Sequence, residues 1–132
     1  MLLVRLDPAS GRLTWVNCAH PRGFVVDRSG RIAAELTSKC LPLGLFLDRW
    51  QCSTGEAVLH SGESTVLVTD GVLESKSPDG AEFGEDRCFE VVLQHLESSA
   101  AEIVEAIYLA VRDFTGGREQ ADDVTIVVCK RL

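Results

Sequence analysis

Asp70, Asp122 and Asp123 are the residues of this 132-residue chain whose placement could support chemistry. Asp70 follows the apolar run Thr65-Val66-Leu67-Val68, after one threonine, and precedes Gly71. A strand ending on an acid fixes the acid's backbone, while the glycine lets the chain turn sharply and a ligand come close. The plainer reading is a turn aspartate accepting backbone hydrogen bonds, and the Asp-Gly dipeptide alone favours it. Asp122 and Asp123 stand at the mouth of the run Val124 to Cys129. Adjacent carboxylates repel unless a divalent cation, an arginine or a helix N-terminus lies near. Taken alone, an exposed loop pair is the better reading. The two sites together say more, because acids at the ends of neighbouring strands can converge. Carboxylate oxygens with water suit Mg²⁺ or Mn²⁺ rather than zinc, and no His/Cys set is positioned to compete. At this level metal binding and a structural role both remain open readings, and no substrate is specified.

The elements that must position these acids can be read from pattern. Leu2 to Leu6 and Arg12 to Asn17 flank Asp7-Pro8-Ala9-Ser10-Gly11, a segment dense in turn formers. Gly23 to Asp27 and Ile32 to Leu36 flank Arg28-Ser29-Gly30, a second hairpin signal. Two consecutive hairpins with short connections predict an antiparallel meander. Cys40 to Leu47 is apolar but broken by Pro42 and Gly44, so it reads as an ordered loop packed on the core. Short strands are expected at Ala57 to His60 and Thr65 to Val68, the latter apolar enough to be covered on both faces. Phe89, Val92, Leu93 and Leu96 recur at helical spacing and predict a helix over 86–97. Ser99 and Glu102 form a capping-box signature for a second helix with the face Ile103, Val104, Ile107, Val111 and Phe114, ended by Gly116-Gly117. Val124 to Cys129 closes the chain as a buried strand. The order predicts an α+β class: antiparallel sheet with helices packed on it.

Composition bounds the function. With 45% apolar and 25% charged residues the chain is globular, and its length suits one domain with one core. A net charge of -7 argues against a nucleic-acid surface. No apolar run reaches the roughly 20 residues that cross a bilayer, and the N-terminus does not read as a signal peptide. Cysteines at 18, 40, 52, 88 and 129 are odd in number and irregularly spaced. They predict neither a disulfide framework nor a zinc or redox motif, but a reduced protein with buried thiols in the cytoplasm.

Five short motifs then occur in order: Asn17-Cys18-Ala19-His20-Pro21, Leu41-Pro42-Leu43-Gly44, Thr69-Asp70-Gly71-Val72-Leu73-Glu74, Phe83-Gly84, and Gln120-Ala121-Asp122-Asp123-Val124-Thr125. Each is weak alone. Together they resemble the sporulation-protein-E and RsbU type of the protein phosphatase 2C superfamily, whose segments read NAGHP, PLG, TDGVxE, FG and QxDDxT. The resemblance runs from about residue 3 to 131. It implies part of an α-β-β-α sandwich and metal-dependent hydrolysis of phosphoserine or phosphothreonine. It also implies that Asp70 and Asp122 are ligands of catalytic Mn²⁺ or Mg²⁺ ions, two in the complete domain. Thr69, Gly71 and Asp123 would then shape the site. Glu74 reads as structural, closing the turn after Asp70. Asn17 and His20 match a motif that would shape the site without supplying direct metal ligands, and His20 reads better as bonded to backbone. His60 has no supporting pattern, and His95 reads as a helix-boundary residue.

Two departures qualify the resemblance. Cys18-Ala19 stands where the family more often has Ala-Gly, so a position with freedom for positive φ has gained a side chain. The family's N-terminal half carries an Asp-Gly segment, whose Asp bridges both metals, and a Gly-His-Gly segment. Here there is no Gly-His-Gly, and the Asp-Gly pairs at 70–71 and 79–80 come too late in the order. Residues 1–132 therefore read as the C-terminal half of such a domain, inactive alone. The partner is a bacterial phosphoprotein such as an anti-sigma-factor antagonist. A missing N-terminal half or a dimer contact would cover open sheet edges. The alternative is a non-catalytic half-domain used for protein interaction or regulation.

Overall fold

The structure is a computed structural model that describes residues 1–44, 52–118, 120 and 122–132. The chain divides into two compact units, Met1–Thr65 with Arg131–Leu132, and Val66–Lys130. Both carry α+β or β structure built from antiparallel strands, as the sequence pattern predicts.

The first unit is strand-rich. β1 (Leu2–Leu6) pairs antiparallel with β2 (Arg12–Asn17), and β2 pairs antiparallel with β5 (Gly55–Val58). Inward Leu13, Trp15 and Asn17 alternate with more exposed Arg12, Thr14 and Val16, the period-two pattern of a half-buried strand. Gly55 lies against the Trp15 indole, where an added Cβ would stand 2.1 Å from a ring carbon. β3 (Gly23–Val26) pairs antiparallel with β4 (Ile32–Leu36) in a different sheet. The two hairpins therefore exist, but they do not form one meander. Short connections fix each pair's direction and say nothing of whether successive pairs share a sheet. The turn aspartates are explained locally. The Ser29 hydroxyl, with the Arg31 and Ser29 N–H groups, holds the Asp27 carboxyl down to about 2. Ser10 and Ala9 lower Asp7 in the same way.

The cysteine expectation is corrected here. Cys40 and Cys52 are joined by a disulfide, whereas Cys18, Cys88 and Cys129 are free. A separation of 12 residues carries no pairing signal in sequence; chain folding brings these sulfurs together. Cys88 behaves as expected of a buried thiol: burial, then the nearby Glu85 charge, pushes it up to about 12. Cys129 is exposed. Cys40 to Gly44 is irregular chain with a turn at its end, as read, but it is not packed on the core: Leu41 and Leu43 are exposed, since apolar composition alone does not say which element covers a loop; residues 45–47 fall outside the described residues.

β6 (Ser64–Val68) begins in the first unit and continues into the second. Ser64, Thr65, Val66 and Val68 are buried, so both faces are covered as the apolar run predicts. The second unit continues with α1 (Asp70–Leu73), α2 (Gly84–Gln94), α3 (Ala100–Phe114) and β7 (Ile126–Lys130). α1 is a single turn that the sequence pattern does not reveal. α2 begins two residues earlier than expected and ends at the His95 cap, whose Nδ1 lies 2.8 Å from the Val91 carbonyl oxygen. α3 starts at the predicted capping box: the Ser99 hydroxyl accepts from the Glu102 N–H, and the Glu102 carboxylate accepts from the Ser99 N–H. That box, chiefly the Ser99 N–H and then its hydroxyl, lowers the Glu102 carboxyl from its usual range. Ile103, Ile107 and Val111 form the buried face of α3, which packs on α2 and β7. At the far end the Phe114 ring meets Phe83 edge-on at 5.4 Å, with the Arg87 guanidinium 4.9 Å from the ring centre. β7 differs from expectation: it starts at Ile126 rather than Val124, and its burial alternates, with Val127 exposed. Apolar runs cannot distinguish a strand covered on both faces from one covered on one. Among the described residues no helix is long and apolar enough to cross a membrane.

Candidate metal centre

Asp70 opens α1 immediately beyond the end of β6, with Thr69 as its N-cap residue. Thr69 has the extended backbone of a cap, φ -81° and ψ 167°, yet its side chain makes no capping hydrogen bond. The hydroxyl is used elsewhere. Thr69 Oγ1 donates to the Asp123 carbonyl oxygen at 3.1 Å and accepts from the Thr125 N–H at 3.0 Å. The Thr69 N–H donates to the Thr125 carbonyl oxygen at 3.1 Å. One threonine thus ties the exit of β6 to the approach of β7, which the sheet order makes neighbouring strands. The strands run antiparallel here, because the end of one meets the beginning of the other.

Gly71 explains why the two segments come so close. A Cβ at this position would stand 2.3 Å from the Asp123 carbonyl oxygen and 2.9 Å from its carbonyl carbon. Any side chain would collide with backbone, so glycine is required for proximity, not for a positive φ. Ser75 then closes the turn by donating its hydroxyl to the Gly71 carbonyl at 2.6 Å. The Glu74 N–H caps α1 on the Asp70 carbonyl oxygen at 2.7 Å, a backbone contact that suits a structural role for Glu74.

The two acids are held alike. Asp70 Oδ1 accepts from the Gly71 N–H at 3.1 Å, and Asp122 Oδ1 accepts from the Asp123 N–H at 2.8 Å. Among the described residues, neither carboxylate makes an ion pair, and the other oxygen of each accepts no hydrogen bond. Asp70, Asp122 and Asp123 are all exposed. Such oxygen-only donors, anchored on one side and open on the other, fit a hard divalent cation better than zinc. Among the described residues, neither Asp70 nor Asp122 belongs to a group of three or more acidic, His or Cys side chains with converging ligand atoms. The donor chemistry fits; the donor number is short of a complete cage.

Asp122 also lines two clefts of the second unit. One, of about 660 Å³, includes Tyr108, Arg112, Thr115, Arg118 and Asp123. The other, of about 390 Å³, includes Gly71, Glu74, Ser75, Lys76 and Arg118. Arg118 and Gln120 line both with Asp122. Sequence reasoning missed Thr125 and Arg118. Thr125 stands in the last motif and could have been found there, whereas nothing in the spacing of Arg118 marks it. Ala121 of that motif lies outside the described residues.

Asn17 and His20 belong to the first unit and are brought together there. The His20 N–H donates to Asn17 Oδ1 at 2.9 Å, while buried Asn17 Nδ2 donates to the Leu36 carbonyl oxygen at 2.9 Å. His20 Nδ1 lies 3.0 Å from the Pro21 carbonyl oxygen, a backbone-bonded ring as expected. Between them Ala19 keeps a left-handed backbone, φ 52°, without glycine. Its N–H donates to Ser38 Oγ at 2.9 Å, and that hydroxyl lies 3.1 Å from both the Asn17 and Cys40 carbonyl oxygens.

The family model described as Stage II sporulation protein E (SpoIIE) matches residues 1–132. Phosphoserine phosphatase RsbU of Bacillus subtilis (strain 168) is 29% identical over 123 residues, covering 91% of this chain and 35% of the relative. The SiaA-PP2C domain of Pseudomonas aeruginosa superposes with a TM-score of 0.80 at 23% identity, over 98% of this chain and 50% of that one. The manganese-presoaked phosphatase domain of the cell fate determinant SpoIIE from Bacillus subtilis superposes with a TM-score of 0.74 at 15% identity, over 99% of this chain and 56% of that one. The chain spans about a third of the RsbU relative and about half of each solved domain.

Proposed function

The chain belongs to the Stage II sporulation protein E family, and from that membership we propose that it is the C-terminal half of a metal-dependent serine/threonine phosphatase domain. The substrate class is a phosphoserine- or phosphothreonine-bearing bacterial signalling protein, such as an anti-sigma-factor antagonist, met in the cytoplasm. One observation carries the reading: Thr69 and Gly71 hold the Asp70 and Asp122 segments side by side, with one oxygen of each acid left open.

Asp70 and Asp122 would hold Mn²⁺ or Mg²⁺, and bound metal supplies an activated water and neutralises phosphate charge. The chain's own contribution is positional. Thr69 fixes the spacing of the two segments, and Gly71 removes the steric barrier between them. Asp123 serves through its backbone: its carbonyl takes the Thr69 bond and its N–H orients Asp122. Asn17 and His20 hold their own turn, and in this reading their part is to shape the site without binding metal.

Two open carboxylates bind a hard cation weakly, since charge and coordination number are both incomplete. The bridging acid belongs to the N-terminal half, so the chain alone is expected to be inactive. That same shortage favours a second reading, a non-catalytic half-domain for protein interaction. β1 and β5 are the outer strands of the three-stranded sheet, and their exposed Leu3 and Val58 offer a place for an N-terminal half-domain or a second copy. A clean monomer on size exclusion at high concentration would argue against self-pairing.

The deciding measurement is Mn²⁺-dependent phosphate release from a phosphoserine peptide, by this chain and by a domain that restores an N-terminal half. The restored domain should turn over and lose at least on the order of 100-fold on Asp70→Asn or Asp122→Asn. Undiminished turnover in Asp70→Asn would sink the metal-centre assignment. A restored domain that is folded but inert would favour the interaction reading.

A further inference from the structure

The first unit contains a chemical cluster unrelated to the acids. The Sγ atoms of Cys18, Cys40 and Cys52 all lie within 4.8 Å of one another. Cys40 and Cys52 are bonded; Cys18 is a free thiol, 2% exposed. Cys18 and Cys40 are also backbone neighbours through an isolated parallel bridge. Ser38 supports that approach, because its hydroxyl faces the carbonyls of both Asn17 and Cys40. Cys40 therefore has two sulfur partners within reach, one from each side of the chain.

We infer that Cys18, Cys40 and Cys52 form a thiol–disulfide exchange site in which Cys40 is bonded alternately to Cys52 or to Cys18. The exchange is internal and redox-neutral. The Cys18 thiolate attacks the Cys40 sulfur, the Cys18–Cys40 bond forms and the Cys40–Cys52 bond breaks. Cys52 leaves as a thiolate and takes up the proton that Cys18 released. Loading the site needs a small-molecule disulfide of the glutathione type, which accepts the electron pair and leaves as two thiols. Cys52 is the least buried of the three and is the sulfur such a molecule meets first. When fully reduced, the Cys40 thiol has the Ser53 carbonyl oxygen 4.0 Å away as a weak acceptor.

The two isomers differ in what they enclose. Cys40–Cys52 closes a 12-residue interval carrying the Leu41-Pro42-Leu43-Gly44 motif. Cys18–Cys40 instead closes a 22-residue interval containing β3 and β4, and frees residue 52 from its covalent tie. Cross-linking either interval removes denatured-state freedom, and the native backbone already holds the three sulfurs within 4.8 Å of one another.

Peptide mapping tests the inference directly. Trypsin cuts after Arg22, Lys39 and Arg49, which leaves the three cysteines in separate peptides. The full chain is equilibrated in a glutathione redox buffer, acid-quenched, alkylated and digested without reductant. Both Cys40–Cys52 and Cys18–Cys40 linked peptides are expected in the unsubstituted chain. In Cys52→Ser, oxidation should yield Cys18–Cys40 as the main bond; in Cys18→Ser, only Cys40–Cys52. Circular dichroism confirms that each variant is folded, and a milder Cys52→Ala serves if Cys52→Ser is not. Folded Cys52→Ser or Cys52→Ala with Cys18 and Cys40 both fully alkylated after oxidation overturns the inference. Stoichiometric Zn²⁺ retention by the reduced chain, lost in Cys18→Ser, also overturns it in favour of a thiolate metal site.

Discussion

Thr69 and Ser38 solve the same problem in two different ways. Each is a hydroxyl that ties together segments far apart in sequence; Thr69 lies within one of the short motifs, and Ser38 bonds to Asn17 and Ala19 of another. Thr69 links the exit of β6 to the approach of β7. Ser38 links the end of β2 to the chain leaving β4. Around Thr69 the neighbouring acids face solvent and the packing constraint is steric, set by Gly71. Around Ser38 the neighbours are buried Asn17, Cys18 and Cys40, and Ala19 carries a left-handed φ. One junction leaves ligand atoms open; the other spends its polar groups on internal bonds. The contrast is between carboxylates left facing solvent and polar groups satisfied within the fold.

The largest expected effect breaks the first junction. Gly71→Ala puts a Cβ into the Asp123 backbone and should cost about 1–3 kcal/mol, the range for overpacking a site that cannot yield. Chemical denaturation measures it, and a change under 0.5 kcal/mol would show that the Asp122–Asp123 segment moves aside freely. Next, Ser38→Ala and Thr69→Val should differ. Ser38→Ala strips a part-buried junction and should cost about 1–2 kcal/mol, whereas Thr69→Val at an exposed junction should cost about 0.5–1 kcal/mol. Equal losses in parallel melts would remove the distinction between the junctions. The smallest effect has the opposite sign. Ala19 is exposed, so Ala19→Gly gives up little packing and relieves a left-handed backbone costing roughly 1–2 kcal/mol, partly offset by glycine's larger unfolded-state entropy. A net gain of about 0.5–1 kcal/mol is expected, and a drop in melting temperature would contradict it.

Much of the second unit was legible because its signals are local. The Ser99–Glu102 box named the start of α3, and the periodic apolar face of α3 matches the buried Ile103, Ile107 and Val111. β1 through β4 were legible from alternation and turn residues. What escaped was non-local. That the two hairpins lie in different sheets, that Cys40 meets Cys52, and that Thr69 reaches Thr125 all depend on partners chosen across long stretches of chain. Pattern reports which face a residue presents, not which element covers it. The acids fall between these cases: the motifs located Asp70 and Asp122, while only the structure shows that each is anchored through one oxygen. That alanine stands at position 19 was visible, and its outcome was not: it adopts a left-handed backbone, with Ser38 and Asn17 bonded on both sides of it.

The steric rule at Gly71 has a bearing on how relatives should be read. The atoms that exclude a side chain there belong to the Asp123 backbone, which no compensating substitution can shorten. A homologue that had lost catalysis but kept this junction would retain the glycine while its position-70 and position-122 acids drifted. Glycine at position 71 is therefore a marker of shared architecture. On the proposed reading the pair of aspartates would mark the chemistry, and in any relative the two should be scored separately.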